Sequence, residues 1–146
     1  MAFKWSSSNS DLSPDTIEVA KTAETAKVKG EVLMVDRANN AVERGTSSMT
    51  TVTMFGVCMQ TRTSTQETVE VVPFALGQIW EADTNADTHA TNQTLERAAL
   101  TDQLLLNNSA SDVTGTTGCF VILKPIGAVG DRKVLVMPLG PAAISA

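Results

Sequence analysis

Short apolar segments separated by turn-forming residues run along the whole chain. The clearest are residues 49–59 (MTTVTMFGVCM), 69–76 (VEVVPFAL), 119–123 (CFVIL) and 134–137 (VLVM). Thr, Ser, Asn, Asp and Gly dominate the stretches between them, and these residues favour turns and loops. Strands of this length must pack on one another to bury their apolar faces. The pattern predicts an all-β protein, either a β-sandwich or a small β-barrel.

Two hairpins are predicted from paired segments. Residues 28–36 and 41–44 flank a turn at Asn39 and Asn40, and Asn tolerates the positive φ angles that such turns need. Residues 119–124 and 133–137 flank a connection that contains two glycines, which predicts a second hairpin near the C-terminal end.

The segment 49–60 is apolar on both faces of a two-residue alternation, which predicts a central strand covered on both sides. Gly56 within it indicates a bulge or a close approach of another backbone. Pro73 cannot donate a hydrogen bond to a neighbouring strand, so the pattern places the strand in 69–76 at an edge or a bulge.

Two segments fit either helix or strand. Residues 12–26 begin with a helix-start pattern around Pro14, but they are rich in β-branched residues, which favours a strand. Residues 95–106 have a helical composition, but Thr101 and Asp102 interrupt the apolar face. Two short strands around Asp102 fit this second segment better.

The composition bounds the class of protein. A chain of 146 residues fits one domain, which we divide into an N-terminal arm (1–14), a β domain (15–138) and a C-terminal tail (139–146). Apolar residues make up 42%, but no run approaches the roughly 20 residues that a membrane span needs. The net charge of -5 disfavours binding to nucleic acid. The start of the chain lacks a secretory signal pattern, so we expect synthesis in the cytosol.

The arm carries two aromatic residues, Phe3 and Trp5, followed by the polar stretch SSSNS. Such a segment builds no core by itself, which predicts a flexible arm. Two interpretations remain open: Phe3 and Trp5 anchor the arm on a partner protein, or they pack on their own domain.

Candidate chemistry concentrates in the polar segment 83–94 (DTNADTHATNQT), where Asp83, Asn85 and Asp87 resemble the start of a calcium loop. Thr88 and Thr94 replace the glycine and the glutamate that the EF-hand requires, so it is not an EF-hand. A looser calcium or carbohydrate site with Trp80 remains an alternative. Because a loop this long tends to be functional or mobile, we expect binding contacts from its polar side chains, namely Asp83, Asn85, Asp87 and His89.

Catalysis is not predicted. His89 is the only histidine, and no Ser or Cys accompanies it in a pattern typical of a nucleophilic triad. Cys58 and Cys119 lie in apolar segments and are expected to be free thiols. We therefore expect no enzyme activity, no cofactor and no metal.

The order of these segments resembles the head decoration, or capsid cement, proteins of tailed bacteriophages. The resemblance rests on the arm with Trp5 and on residues 25–36 (TAKVKGEVLMVD), 55–59 (FGVCM), 72–84 (VPFALGQIWEADT), 95–108 (LERAALTDQLLLNN) and 126–138 (IGAVGDRKVLVMP).

The resemblance implies a β-tulip-like domain that binds the outer surface of a phage capsid. There it would stabilise contacts between subunits of the major capsid protein, as a dimer or trimer that is made in the host cytoplasm and located on the virion. By position and composition, Phe3 and Trp5 would form the capsid-binding arm. The alternatives are another virion part, such as a head fibre base, tail or baseplate component, or a carbohydrate- or calcium-binding β-sandwich.

Overall fold

The computed structural model describes residues 3–8, 15–21, 26–87, 94–109 and 118–141. Within these residues the chain forms strands and no helix. In chain order the strands are β1 (Phe3–Ser8), β2 (Ile17–Ala20), β3 (Val32–Asp36), β4 (Ala41–Arg44), β5 (Met54–Cys58), β6 (Thr68–Pro73), β7 (Gln78–Asp83), β8 (Arg97–Ala98), β9 (Leu100–Asp102), β10 (Leu105–Leu106), β11 (Phe120–Pro125) and β12 (Lys133–Pro138).

The strands form two five-stranded antiparallel sheets that pack together as a β-sandwich. The first sheet has the order β1-β7-β12-β11-β8, and the second has the order β2-β6-β5-β3-β4. A separate hairpin of β9 and β10 contacts the second sheet through the hydrogen bond from Val32 N to Gln103 O. The prediction of an all-β sandwich is confirmed, and the described strands do not close into a barrel.

The main core lies between the two sheets. Because side chains alternate along a strand, each sheet contributes every second residue to it. Trp80, Val134, Val136, Phe120 and Ile122 come from the first sheet and are buried. The facing residues of the second sheet and its neighbouring turns are Val32, Met54, Val57, Val72 and Phe74.

The second sheet also buries its other face. Leu33, Val42, Cys58, Val69 and Val71 form a second apolar cluster there. This cluster is enclosed because the sheet curls, so that residue 21, directly after edge strand β2, forms a parallel bridge with Val42 of the opposite edge strand β4. We call this side the concave face of the second sheet.

Both predicted hairpins are confirmed. Strands β3 and β4 pair around a turn in which Asn40 has a φ of 51°, and β11 pairs with β12. The central strand is also confirmed, since β5 pairs with β3 on one side and with β6 on the other. The two ambiguous segments both contain strands, as the sequence favoured, although residues 12–14 and 22–25 lie outside the described part.

Two expectations need correction. Strand β6 lies between β2 and β5 and is not at an edge. It tolerates Pro73 because this proline is its last residue, beyond Val71, where the pairing with β2 stops. Residues 3–8 are not a free arm either, because they form β1, the edge strand that pairs with β7.

Candidate interaction surface at the end of the first sheet

The segment that the sequence singled out leaves the first sheet at the end of β7. Asp83 is the last residue of this strand and pairs across the sheet with Lys133 at the start of β12. The two side chains form an ion pair with an Nζ to Oδ1 distance of 2.6 Å. The ammonium group of Lys133 donates a hydrogen bond to Asp83, and this bond raises the pKa of Lys133.

A second ion pair continues this row of charges. Arg132 Nε lies 3.0 Å from Asp87 Oδ1, and both side chains are about half exposed. The backbone is fastened at the same place, because Thr84 N donates to Arg132 O over 2.9 Å. Each of the two carboxylates therefore has a cation from the same neighbouring segment.

Asparagines attach this segment to the residues that follow β10. Asn108 is fully buried, and its side chain donates to Ala86 O over 3.0 Å and accepts from Ala86 N over 2.9 Å. Asn108 N in turn donates to the Asn85 side chain over 3.0 Å. The amide group of Asn108 thus bonds to both backbone groups of Ala86, as a neighbouring β-strand would. These bonds fix the backbone of both segments.

We call this surface the polar rim, and it comprises residues 83–87, 106–109 and 132–133. It brings together Asp83, Asn85 and Asp87, three of the four loop residues that the sequence indicated. His89 lies outside the described residues. Within the described residues, no three His, Cys, Asp or Glu side chains are grouped so that they could hold a metal ion.

The polar rim does not favour the calcium or carbohydrate alternative. Lys133 and Arg132 already compensate the two carboxylates that would have to receive a calcium ion. Trp80 is 0% exposed and packs edge-on against Trp5 and Phe74, so its ring offers no face to a sugar.

The two aromatic residues of β1 pack on the chain's own domain, as in the second interpretation of the sequence. Phe3 is 1% exposed, and its ring centroid lies 5.2 Å from that of Phe120. Trp5 is partly buried, with its ring centroid 5.3 Å from that of Trp80. Phe3 in this position is not accessible to a partner.

Both cysteines are free and buried, as expected. Cys119 belongs to the main core and Cys58 to the second cluster. Burial raises the pKa of Cys119 to about 11 and also raises the pKa of Cys58. Since the thiolate is the reactive form, these positions disfavour a nucleophilic role.

The sequence did not reveal a buried group of charges at one end of the concave face. Lys27 and Glu31 are 0% and 1% exposed, and Arg44 Nε lies 3.4 Å from Glu31 Oε2. Burial lowers the pKa of Lys27 and raises the pKa of Glu31. The available signal was the presence of three charged residues, Lys27, Lys29 and Glu31, at the start of the otherwise apolar segment 27–35.

A scan against models of protein families finds none that matches this chain. A search of curated proteins likewise finds no match. No helix among the described residues is long and apolar enough to cross a membrane.

Proposed function

We propose that this protein is a structural component of a phage virion that binds the outer surface of the capsid and stabilises contacts between major capsid protein subunits. In this proposal it works by attaching to other proteins and not by catalysis. The resemblance of the sequence to capsid cement proteins suggests this function. The observation that carries it is the fixed geometry of the polar rim.

A preorganised surface favours binding because little conformational entropy is lost when a partner attaches. In the polar rim, Asn108 fixes the backbone at Ala86, and Thr84 bonds to Arg132. The side chains of Asp83 and Asp87 are held by ion pairs. The rim therefore presents charges at defined positions before any partner arrives.

An apolar residue accompanies these charges. Val129 lies in the connection between β11 and β12, which also carries Arg132, and it is 63% exposed. Protein interfaces combine apolar contacts with a polar periphery. Val129 beside the polar rim fits this composition, and we propose the rim with this connection as the capsid-binding surface.

The test uses expanded shells assembled from the major capsid protein of the same virus. The purified protein is mixed with the shells, which are then sedimented and also heated. We expect the protein to sediment with the shells in a fixed ratio to capsid subunits and to raise the temperature at which the shells break. If the protein does not sediment with the shells and assembles alone into rings or tubes, it would instead be a tail or baseplate component.

The variant Arg132→Glu tests the location of the surface. It reverses one charge of the rim, and because exposed ion pairs contribute only about 0.2–1 kcal/mol, the fold should persist. We expect its affinity for shells to fall about tenfold, which corresponds to about 1.4 kcal/mol. Lys29→Glu is the matched control, since it makes the same charge change at an exposed turn. Equal losses in both variants would exclude the rim as the specific contact.

A further inference from the structure

A pocket lies beside the edge strand β8 of the first sheet. It has a volume of about 310 Å³, at the lower end of the range of about 300–1,000 Å³ for ligand pockets. One side of the pocket is the turn segment 47–51, and the other side consists of Arg97, Ala99 and residues 118–119 before β11. None of these residues belongs to the polar rim.

The pocket contains a positive charge that no acidic neighbour balances. Arg97 is the only charged residue among the described residues that line the pocket. It forms no ion pair within the described part of the chain, in contrast to Arg44, Arg132 and Lys133. Because Arg97 is partly buried, water screens its charge less than that of a fully exposed arginine. An anion is therefore the ligand that this pocket attracts.

The guanidinium group of Arg97 is held in one orientation. Its Nε and Nη2 atoms donate hydrogen bonds to Gly118 O over 3.1 and 2.6 Å. The other N–H groups of this guanidinium make no hydrogen bond with the described residues. An oriented guanidinium loses little conformational entropy when an oxyanion accepts hydrogen bonds from these N–H groups.

The opposite side of the pocket supplies hydroxyl groups. Ser48 and Thr50 use theirs for hydrogen bonds within the turn segment. The hydroxyl groups of Ser47 and Thr51 make no hydrogen bond with the described residues, so they can donate to a ligand. Donors on two sides suit a phosphate group, whose oxygens point in several directions. The two oxygens of a carboxylate lie in one plane and fit these donors less well.

Buried residues form the floor of the pocket. Met49 and Cys119 are 4% and 1% exposed, and Cys119 Sγ donates to Met49 O over 3.1 Å, which joins the two sides. Burial raises the pKa of Cys119 to about 11, and the positive charge of Arg97 acts to lower it. The charge of Arg97 thus reaches the floor, and over such an apolar floor it attracts an anion more strongly than in open water.

We propose that this pocket binds a phosphate group, either the free ion or a small phosphomonoester, with Arg97, Ser47 and Thr51 as hydrogen-bond donors. This inference goes beyond the proposed function and does not depend on it. Phosphate binding in the pocket and shell binding through the polar rim can each fail without the other.

The probes are inorganic phosphate and glycerol phosphate, which are titrated separately into the full chain at neutral pH and constant ionic strength. Proton–nitrogen NMR spectra follow binding. We expect saturable shifts of the backbone amide signals of residues 47–51 and of the Arg97 Nε signal. Tighter binding of glycerol phosphate would identify a phosphomonoester as the ligand, and tighter binding of inorganic phosphate would identify the free ion.

Sodium acetate is the control for the shape of the anion and should bind at least about tenfold more weakly than phosphate. Equal binding of acetate would replace the phosphate site by a carboxylate site and overturn the proposal. Shifts that do not saturate, or that spare residues 47–51 and Arg97, would also overturn it.

The variant Arg97→Gln removes the charge from the pocket and should weaken phosphate binding about tenfold or more. Lys124→Gln is the matched control, because it removes the same charge from an exposed residue of β11 outside the pocket. Its affinity for phosphate should stay within about twofold of the wild type. Equal losses in the two variants would show a general charge effect and refute the site.

The variant Thr51→Val is a second test, because Arg97 also bonds to Gly118 and its replacement can disturb the fold. Thr51→Val removes one hydroxyl group at nearly constant shape and should weaken phosphate binding about threefold or more. Thr16→Val makes the same change at an exposed position outside the pocket and should leave the affinity unchanged. If Arg97→Gln does not fold, these two variants decide, and equal affinities in them would contradict the proposal.

Discussion

Gly56 of β5 lies close to the backbone of β6, and its lack of a side chain permits this approach. A Cβ atom at this position would lie 2.6 Å from Val71 Cγ1 and 2.9 Å from the carbonyl carbon of Val72. Both are too short for non-bonded carbon atoms. The sequence indicated a close backbone approach at this glycine, and the pairing of β5 with β6 is the reason.

The variant Gly56→Ala should therefore be destabilised. Overpacking of a tight core costs about 1–3 kcal/mol, and here the obstacle is partly backbone, which moves less easily than a side chain. Urea unfolding gives the free energy directly. Ser47→Ala, in an exposed turn, is the control and should change stability by less than about 0.5 kcal/mol. Wild-type stability in Gly56→Ala would mean that the two strands lie further apart.

Glu31 is a residue whose charge opposes folding. Burial raises its pKa despite the attraction of Arg44 and Lys27. A folded-state pKa above the unfolded value of about 4.5 means that the folded protein holds the proton more tightly. The stability from this proton is fully present below about pH 4.5 and is lost as pH rises through the folded pKa.

Glu31→Gln keeps the shape of the neutral acid but cannot ionise. The variant should therefore not lose stability as pH rises through the folded-state pKa of Glu31. We expect the variant and the wild type to be equally stable below about pH 4.5, and the variant to be more stable as pH rises toward 8. Urea unfolding across this range measures the difference. Glu67→Gln, at an exposed position, should show no such trend. A less stable Glu31→Gln at pH 7 would show that the attraction of the two cations outweighs the cost of burial.

At the scale of elements, the alternation of apolar residues was sufficient to place most strands. It could not assign each strand to a sheet, because alternation specifies a buried face and not a neighbour. The edge position of β1 beside β7 shows this limit, since nothing in residues 3–8 identifies residues 78–82 as its partner. Composition alone indicated residues 83–87 of the polar rim. It did not indicate residues 106–109 and 132–133, because the role of Asn108, for example, depends on a contact between distant segments.

Strand β1 should contribute to stability through Phe3. Replacing a buried Phe by Ala costs about 3–5 kcal/mol, because the main core loses apolar contact and gains a cavity. We expect Phe3→Ala to lower the free energy of unfolding by about this amount. Lys4→Ala, an exposed residue of the same strand, is the control and should have little effect. An unchanged stability in Phe3→Ala would instead support the prediction of a flexible arm that binds a partner protein.

The asparagine contacts should hold the segment after β7 in place. In Asn108→Asp the acceptor for Ala86 N remains, but a carboxylate oxygen then faces Ala86 O without a hydrogen. A buried polar group left unsatisfied costs about 1–3 kcal/mol, and more when it is charged. We expect faster hydrogen exchange at Ala86 in this variant. Ser109→Ala removes only a 3.5 Å contact and should leave this exchange unchanged.

At the scale of the whole molecule, the second sheet supports two apolar clusters at once. Adjacent residues on the same strand serve different clusters, as Val57 and Cys58 do on β5 and as Val71 and Val72 do on β6. Pulling either strand out of the sheet would expose both clusters. The clusters should therefore unfold together, although they do not share a single core.

The two cysteines report on this coupling, since Cys58 lies in the second cluster and Cys119 in the main core. Both thiols are buried and have raised pKa values. A thiol reagent at pH 8 can therefore react with them only after the structure opens and exposes them. The single-cysteine variants Cys58→Ala and Cys119→Ala each leave one reporter.

If strands β5 and β6 couple the clusters, the opening free energy from labelling should match that from urea unfolding of the same variant. Its dependence on urea should also be the same for both reporters, because the same surface is exposed. Labelling of the urea-unfolded variants supplies the intrinsic rate. Faster labelling of Cys58, with a smaller urea dependence than Cys119, would show that the concave face opens alone while the core between the sheets stays closed.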